Sequence, residues 1–153
     1  MPSASDVVQF NGGSPVTVMG IPTQSIAQLL LSNNTVVNLQ AGGNNTLTIA
    51  GAAGTDLDVS SGSTLNMNGA TNTLTIFLGA GATGSVSGNM TCSTAAHKLN
   101  ANDASAITFN SGATFTQASG CTGNAFTNSG TANVIVFASG STFVSQAGAN
   151  PFG

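Results

Sequence analysis

Charge is almost missing from this chain. Of its 153 residues only 3% are charged: Lys98, four aspartates, and neither arginine nor glutamate. One cation cannot neutralise a run of phosphates, so nucleic acid is excluded as a partner, and anionic membrane surfaces with it. Tryptophan and tyrosine are also absent, so the usual aromatic platform for sugars is not evident. No apolar run approaches the roughly 18 residues that span a bilayer, and the stretch around Leu29 to Leu31 has only the length of a strand. Membrane insertion is therefore not expected. The opening MPSASD lacks the basic and apolar regions of a secretory signal, so a secreted form would already have lost its leader.

Cysteine is scarce too. Cys92 and Cys121 are too few for a disulfide framework and have no zinc-ligand spacing. They are candidates for a single bridge in an oxidising compartment, with two buried apolar thiols as the alternative. No metal and no cofactor is expected.

What is present favours order. Disorder goes with high net charge and few β-branched residues, whereas this chain is 41% hydrophobic with a net charge of −3. Val, Ile, Thr and Phe favour strands, and Gly, Asn and Ser favour tight turns. Short alternating runs recur: Leu47 and Ile49 oppose Thr46 and Thr48, Leu57 and Val59 oppose Asp56 and Asp58, and Leu65 with Met67 and Leu74 with Ile76 repeat the pattern. Ile26 to Leu31 also alternates, and Asn33-Asn34 is a turn signal, so this stretch reads as a strand pair rather than a helix.

Near the C-terminus ITFNSGATFTQASG is echoed by IVFASGSTFVSQAG, with Phe109 and Phe137, and Phe115 and Phe143, each 28 positions apart. A repeated apolar spacing marks a unit that stacks on copies of itself. The expectation is an all-β, right-handed parallel β-helix: one β-solenoid domain over residues 1–153, with 1–24 as a first coil or cap and 25–153 as stacked coils. A β-sandwich is the alternative. The second echo halts at Asn150-Pro151-Phe152 with no polar cap after it, which reads as a stack that continues in a longer chain or by self-association through its end coils. All eight phenylalanines are assigned to the core.

The segments SGATFTQASGCTGNAF and SGSTFVSQAGANPFG, together with NTLTIAG, GSTLNMNG and AAHKLNANDASAITFNSG, resemble β-solenoid repeats of large surface and secreted, adhesin-like proteins exported by the bacterial type IX secretion route. The resemblance implies an extracellular or cell-surface passenger segment. It supplies no catalytic motif.

Candidate chemistry is sparse. Asp56 and Asp58 share a strand face and read as a solvated pair, because calcium wants six to eight oxygens and the glycine-aspartate nonapeptide is absent. His97, Lys98 and Asp103 are close in sequence, but no activated nucleophile stands beside them, so His97 reads as a coil-edge histidine. With no Arg and scattered acids, polysaccharide lyase chemistry is poorly provisioned. Thr46 and Thr48, Thr73 and Thr75, and Thr114 and Thr116 each place two hydroxyls on one strand face, forming a candidate surface for glycan, mineral or ice. The sequence thus predicts a non-catalytic structural or adhesive module. A self-assembling fibre subunit and a ligand- or ice-binding solenoid are the alternatives.

Overall fold

A computed structural model of the chain describes residues 1–126 and 131–146. The Asn150-Pro151-Phe152 end of the second echo lies outside the described residues. The first coil contains β1 (Val7–Phe10), β2 (Val16–Ile21) and β3 (Gln24–Ile26). The second contains β4 (Gln28–Leu31), β5 (Val36–Ala41) and β6 (Asn45–Ile49), and the third β7 (Leu57–Val59), β8 (Thr64–Met67) and β9 (Leu74–Leu78). The fourth contains β10 (Gly84–Val86), β11 (Asn89–Cys92) and β12 (Lys98–Ala101). Two further coils contribute β13 (Ile107–Phe109) with β14 (Thr114–Gln117), and β15 (Ile135–Phe137) with β16 (Thr142–Ser145).

Each strand pairs with its counterpart one coil away. The result is three ladders: sheet A runs β1-β4-β7-β10-β13-β15, sheet B runs β2-β5-β8-β11-β14-β16, and sheet C runs β3-β6-β9-β12. Every pairing among the described residues is parallel. A sandwich of antiparallel sheets is thereby ruled out, and the fold is a parallel β-solenoid. The echo is one step of this stack: Phe109 pairs with Phe137 and Phe115 with Phe143. Their rings stack with centroids 4.8 Å and 5.9 Å apart.

Alternation decides which side chains fill the interior. In sheet A, Phe10, Leu31, Val59, Val86, Phe109 and Phe137 form one inward column. In sheet B, Val16, Val37, Leu65, Met90, Phe115 and Phe143 form another. Residues of the middle coils, such as Leu57, Leu65 and Ile76, are fully buried, and each such side chain contributes about 1.5–3 kcal/mol by leaving water.

The corner between sheets A and B repeats its own hydrogen bond. The amides of Thr35, Ser63, Ala113 and Ser141 donate to the carbonyls of Ser32, Ser60, Asn110 and Ala138 at 3.0–3.2 Å. Gly62, Gly112 and Gly140 adopt φ of 80–84° there, and Asn34 adopts 56°, a region glycine enters freely and asparagine tolerates. In the fourth coil this corner shortens to Ser87-Gly88. A side chain on Gly88 would collide with the carbonyls of Ser60 and Ser63.

Candidate functional site

The outer face of sheet B carries no charge. Asp58 lies on β7 in sheet A and Lys98 on β12 in sheet C, while Asp6, Asp56 and Asp103 precede strands of sheet A. What sheet B shows outward is mainly hydroxyl and amide, with Met19, Val36 and Val144 as apolar exceptions. Thr17, Asn38, Asn66, Thr91 and Thr116 follow one another along its central outer column, ending at Val144. Beside it run Val36, Thr64, Asn89, Thr114 and Thr142. Parallel strands set the step along each column at about 4.8 Å.

Part of this face is held rigid by its own hydrogen bonds. Asn66 Nδ2 donates to Asn38 Oδ1 at 3.0 Å, and Asn38 Nδ2 donates to Thr17 Oγ1 at 3.4 Å. Asn68 Nδ2 also reaches Asn38 Oδ1 at 3.2 Å, and Gln40 Nε2 donates to Asn68 Oδ1 at 3.2 Å. This amide ladder was not anticipated. Its signal is the 28-position spacing of Asn38 and Asn66, repeated by Gln40 and Asn68.

The six candidate threonines fall into two groups. Thr114 and Thr116 lie on β14 in sheet B, beside Asn89 and Thr91. Thr46 and Thr48 lie on β6 in sheet C, where Thr46 pairs with Thr75 but Thr48 pairs with Phe77. Thr73 precedes β9, and its amide donates to Asn44 Oδ1 at 2.9 Å. Phe77 alternates with the buried Leu74, Ile76 and Leu78 along β9, so it faces outward and is half-buried. This corrects the assignment of every phenylalanine to the core. The parity of its own strand, which the repeat sets, turns it out.

The aspartates need a second correction. Asp56 is buried, not solvated, with 1% of its surface exposed. Its Oδ1 accepts from the Ala52 amide at 2.7 Å and from Gln28 Nε2 at 3.4 Å, and its Oδ2 accepts from the Thr83 amide at 2.8 Å. The carboxylate ties the turn before β7 to the second and fourth coils. Asp58, one step into the strand, points outward and accepts from Ser60 Oγ at 2.7 Å.

His97 is also buried, at 1% exposure, in the corner between sheets B and C. The Leu74 amide donates to its Nδ1 at 2.9 Å, which fixes the neutral tautomer with the proton on Nε2. Burial is the largest influence and holds its pKa below the ordinary histidine value, and the bond from the Leu74 amide, which a protonated Nδ1 could not accept, favours the neutral ring as well. Asp103 sits on another corner. Its carboxyl lies below the usual carboxylate range, chiefly because the Gly81 amide donates to Oδ2 at 2.6 Å, with Asn102 adding a second bond. His97 and Asp103 thus serve separate backbone groups rather than each other.

Cys92 and Cys121 are joined, with Cα atoms 5.7 Å apart. The bridge anchors the segment after β14, whose Cys121 and Gly123 carbonyls also accept from the buried Gln117 Nε2 at 3.4 Å and 2.8 Å. Among the described residues no three of His, Cys, Asp and Glu gather as a metal site, and no helix is long and apolar enough to cross a membrane. Comparison with protein-family models, curated proteins and solved structures finds no match.

Proposed function

We propose that this chain is a non-catalytic structural and adhesive module of a secreted or surface-exposed protein, a stiff solenoid whose sheet B meets a neutral, repetitive surface such as an uncharged polysaccharide. One observation carries the reading: all five charged residues lie off sheet B, while its central outer column runs through Thr17, Asn38, Asn66, Thr91 and Thr116. An uncharged array of donors and acceptors suits hydroxyl-rich polymers, because no ion must be desolvated on contact. Side chains already ordered in a ladder lose less entropy when they bind. The Cys92–Cys121 bridge supports an oxidising compartment, and the resemblance to surface solenoids points the same way.

The test is co-sedimentation with insoluble neutral glycans across a salt series. Binding that is insensitive to salt and drops at least tenfold in Asn66→Lys/Thr91→Lys is expected, since both positions face out on adjacent strands. Binding that weakens steeply with salt, or that ignores this substitution, sinks the proposal.

A further inference from the structure

The sequence places glycine directly after asparagine twice, at Asn11-Gly12 and Asn68-Gly69. Such a pair is open to reaction with itself, because glycine has no side chain to shield its amide nitrogen from the carbonyl of the asparagine side chain before it. The fold treats the two pairs in opposite ways.

Asn68 is tied at every point. Its Nδ2 donates to Asn38 Oδ1 and its Oδ1 accepts from Gln40 Nε2, both at 3.2 Å. Its own amide donates to the Leu39 carbonyl at 3.2 Å, and the Gly69 carbonyl accepts from Thr94 Oγ1 at 3.0 Å. Gly69 is buried, with the backbone of Gln40, Ala41 and Asn72 standing 3.6 Å from where a side chain on it would lie. The Asn68 side chain cannot swing toward the Gly69 nitrogen without breaking bonds to two neighbours.

Asn11 lies after β1 has ended and before β2 begins. It is exposed, and so are Gly12 and Gly13. This corner is pinned on either side, where Asn33 Nδ2 donates to the Asn11 carbonyl and the Gly13 amide donates to Thr35 Oγ1, both at 3.0 Å. Between those bonds neither the Asn11 side chain nor the Gly12 amide has a hydrogen-bond partner among the described residues. Nothing lies within 4 Å of where a side chain on Gly12 would stand.

We propose that Asn11 is a modification site at which the chain deamidates spontaneously, while the amide ladder of sheet B shields Asn68 from the same reaction. The Gly12 nitrogen, having lost its proton to base, forms a bond to Asn11 Cγ; the Cγ–Nδ2 bond breaks and ammonia leaves, which closes a cyclic succinimide. Water then opens the ring. Cleavage between nitrogen and Cγ gives aspartate, and cleavage between nitrogen and the Asn11 backbone carbonyl gives isoaspartate, whose chain runs through Cβ and Cγ. Either product adds a carboxylate to the four aspartates of the sequence, at the corner between β1 and β2. The same change at Asn68 would charge the neutral face, and the ladder prevents it.

The test holds the full chain in mildly alkaline buffer while peptide mapping by mass spectrometry follows the replacement of the amide by a carboxylate at each site. Asn11 is expected to convert roughly tenfold faster than Asn68, since the rate follows how freely the two reacting atoms reach attack geometry. In denaturant the two rates should converge. Gly12→Ala, at a position with room for the methyl group, should slow the reaction at Asn11. Asn38→Ala/Gln40→Ala should bring Asn68 toward the Asn11 rate, with circular dichroism confirming the fold; Gln40→Ala alone, which leaves Asn38 joined to Asn66, is the milder variant and should raise the Asn68 rate in part. A folded chain that converts Asn68 as fast as Asn11, or that holds Asn11 well below its rate in denaturant, overturns the site. An Asn68 rate that ignores Gln40→Ala overturns the shielding. Neither rate depends on what sheet B binds.

Discussion

The second to fourth coils and the fifth and sixth fill the same columns by different means. In sheet A the column is Leu31, Val59 and Val86 in the former, then Phe109 and Phe137 in the latter. The aliphatic coils close on three strands each, whereas the third side of the fifth coil, from Ala118 to Phe126, forms no strand. It joins the ladder at isolated points, as where the Leu99 amide donates to the Ala125 carbonyl at 2.8 Å and the Thr122 amide to Ala95 at 3.0 Å. An irregular wall cannot supply the regular ridge of side chains that a strand does. Large rings fill the resulting space: Phe115 and Phe126 lie 4.7 Å apart, and Phe126 contacts Phe137 and Phe143. The disulfide and Gln117 then hold the wall in place. The solenoid cross-section tolerates loss of a strand where rings and a covalent tie replace it.

The sharpest way to break this comparison is to empty one position on each side of it. Phe109→Ala should cost about 4 kcal/mol and Leu31→Ala about 3 kcal/mol in denaturant titrations. Phe109 stacks on Phe137 and meets Phe115 edge-on, so its removal should also speed hydrogen exchange at Ile135 and Phe143 while leaving Leu39 protected. Stability in a stack passes from neighbour to neighbour. Equal loss of protection at both ends would show that the aromatic coils are not a separate unit.

Removing the tie comes next. Cys92→Ala/Cys121→Ala opens a cross-link spanning 29 positions, for which loop-closure entropy gives roughly 3–4 kcal/mol. The loss should fall on the irregular wall, and limited proteolysis should cut first between Ala118 and Phe126. Cleavage that begins in the aliphatic coils would contradict the assigned role of the bridge.

Asp56 does for the aliphatic coils what the disulfide does for the aromatic ones. Asp56→Asn is expected to cost roughly 1.5–3 kcal/mol, the scale of hydrogen bonds to a charged group. An amide cannot replace this carboxylate, because both of its oxygens accept from backbone amides and one would become an NH2 facing a donor. A thermal melt of this variant matching wild type would refute that account.

The position of Asp56 also shows where sequence reading stopped. Alternation gave the inward residues of the strands correctly, Leu57 and Val59 included, and the 28-position echo named the paired phenylalanines. Alternation holds only while the backbone is extended. Asp56 precedes β7, where the chain turns, and there its carboxylate folds back onto the amides of Ala52 and Thr83 instead of following the outward parity of Asp58. His97 lies before β12 in the same way. The amide ladder of sheet B escaped for another reason: it depends on register between coils, and coil length varies, with Asn38 and Asn66 28 apart but Asn66 and Thr91 25 apart. The candidate threonines were paired along each strand, whereas the surface they belong to is set across strands.

His97 offers the smallest effect and tests the junction between the two regions, since its carbonyl lies 3.7 Å from the Cys92 sulfur. Its folded pKa is depressed, mainly by burial, so below pH 6.5, the ordinary histidine value, the unfolded chain binds a proton that the folded chain refuses. The neutral ring therefore contributes stability above that pH, and the contribution is lost as pH falls toward the folded pKa, by up to about 1.4 kcal/mol per pH unit. Protonation would also break the Leu74 amide bond to Nδ1. His97→Gln keeps an acceptor for that amide and removes the proton site, so its stability should vary less between pH 6.5 and pH 5 than that of the wild type. Parallel pH profiles for the two chains would place the acid sensitivity elsewhere.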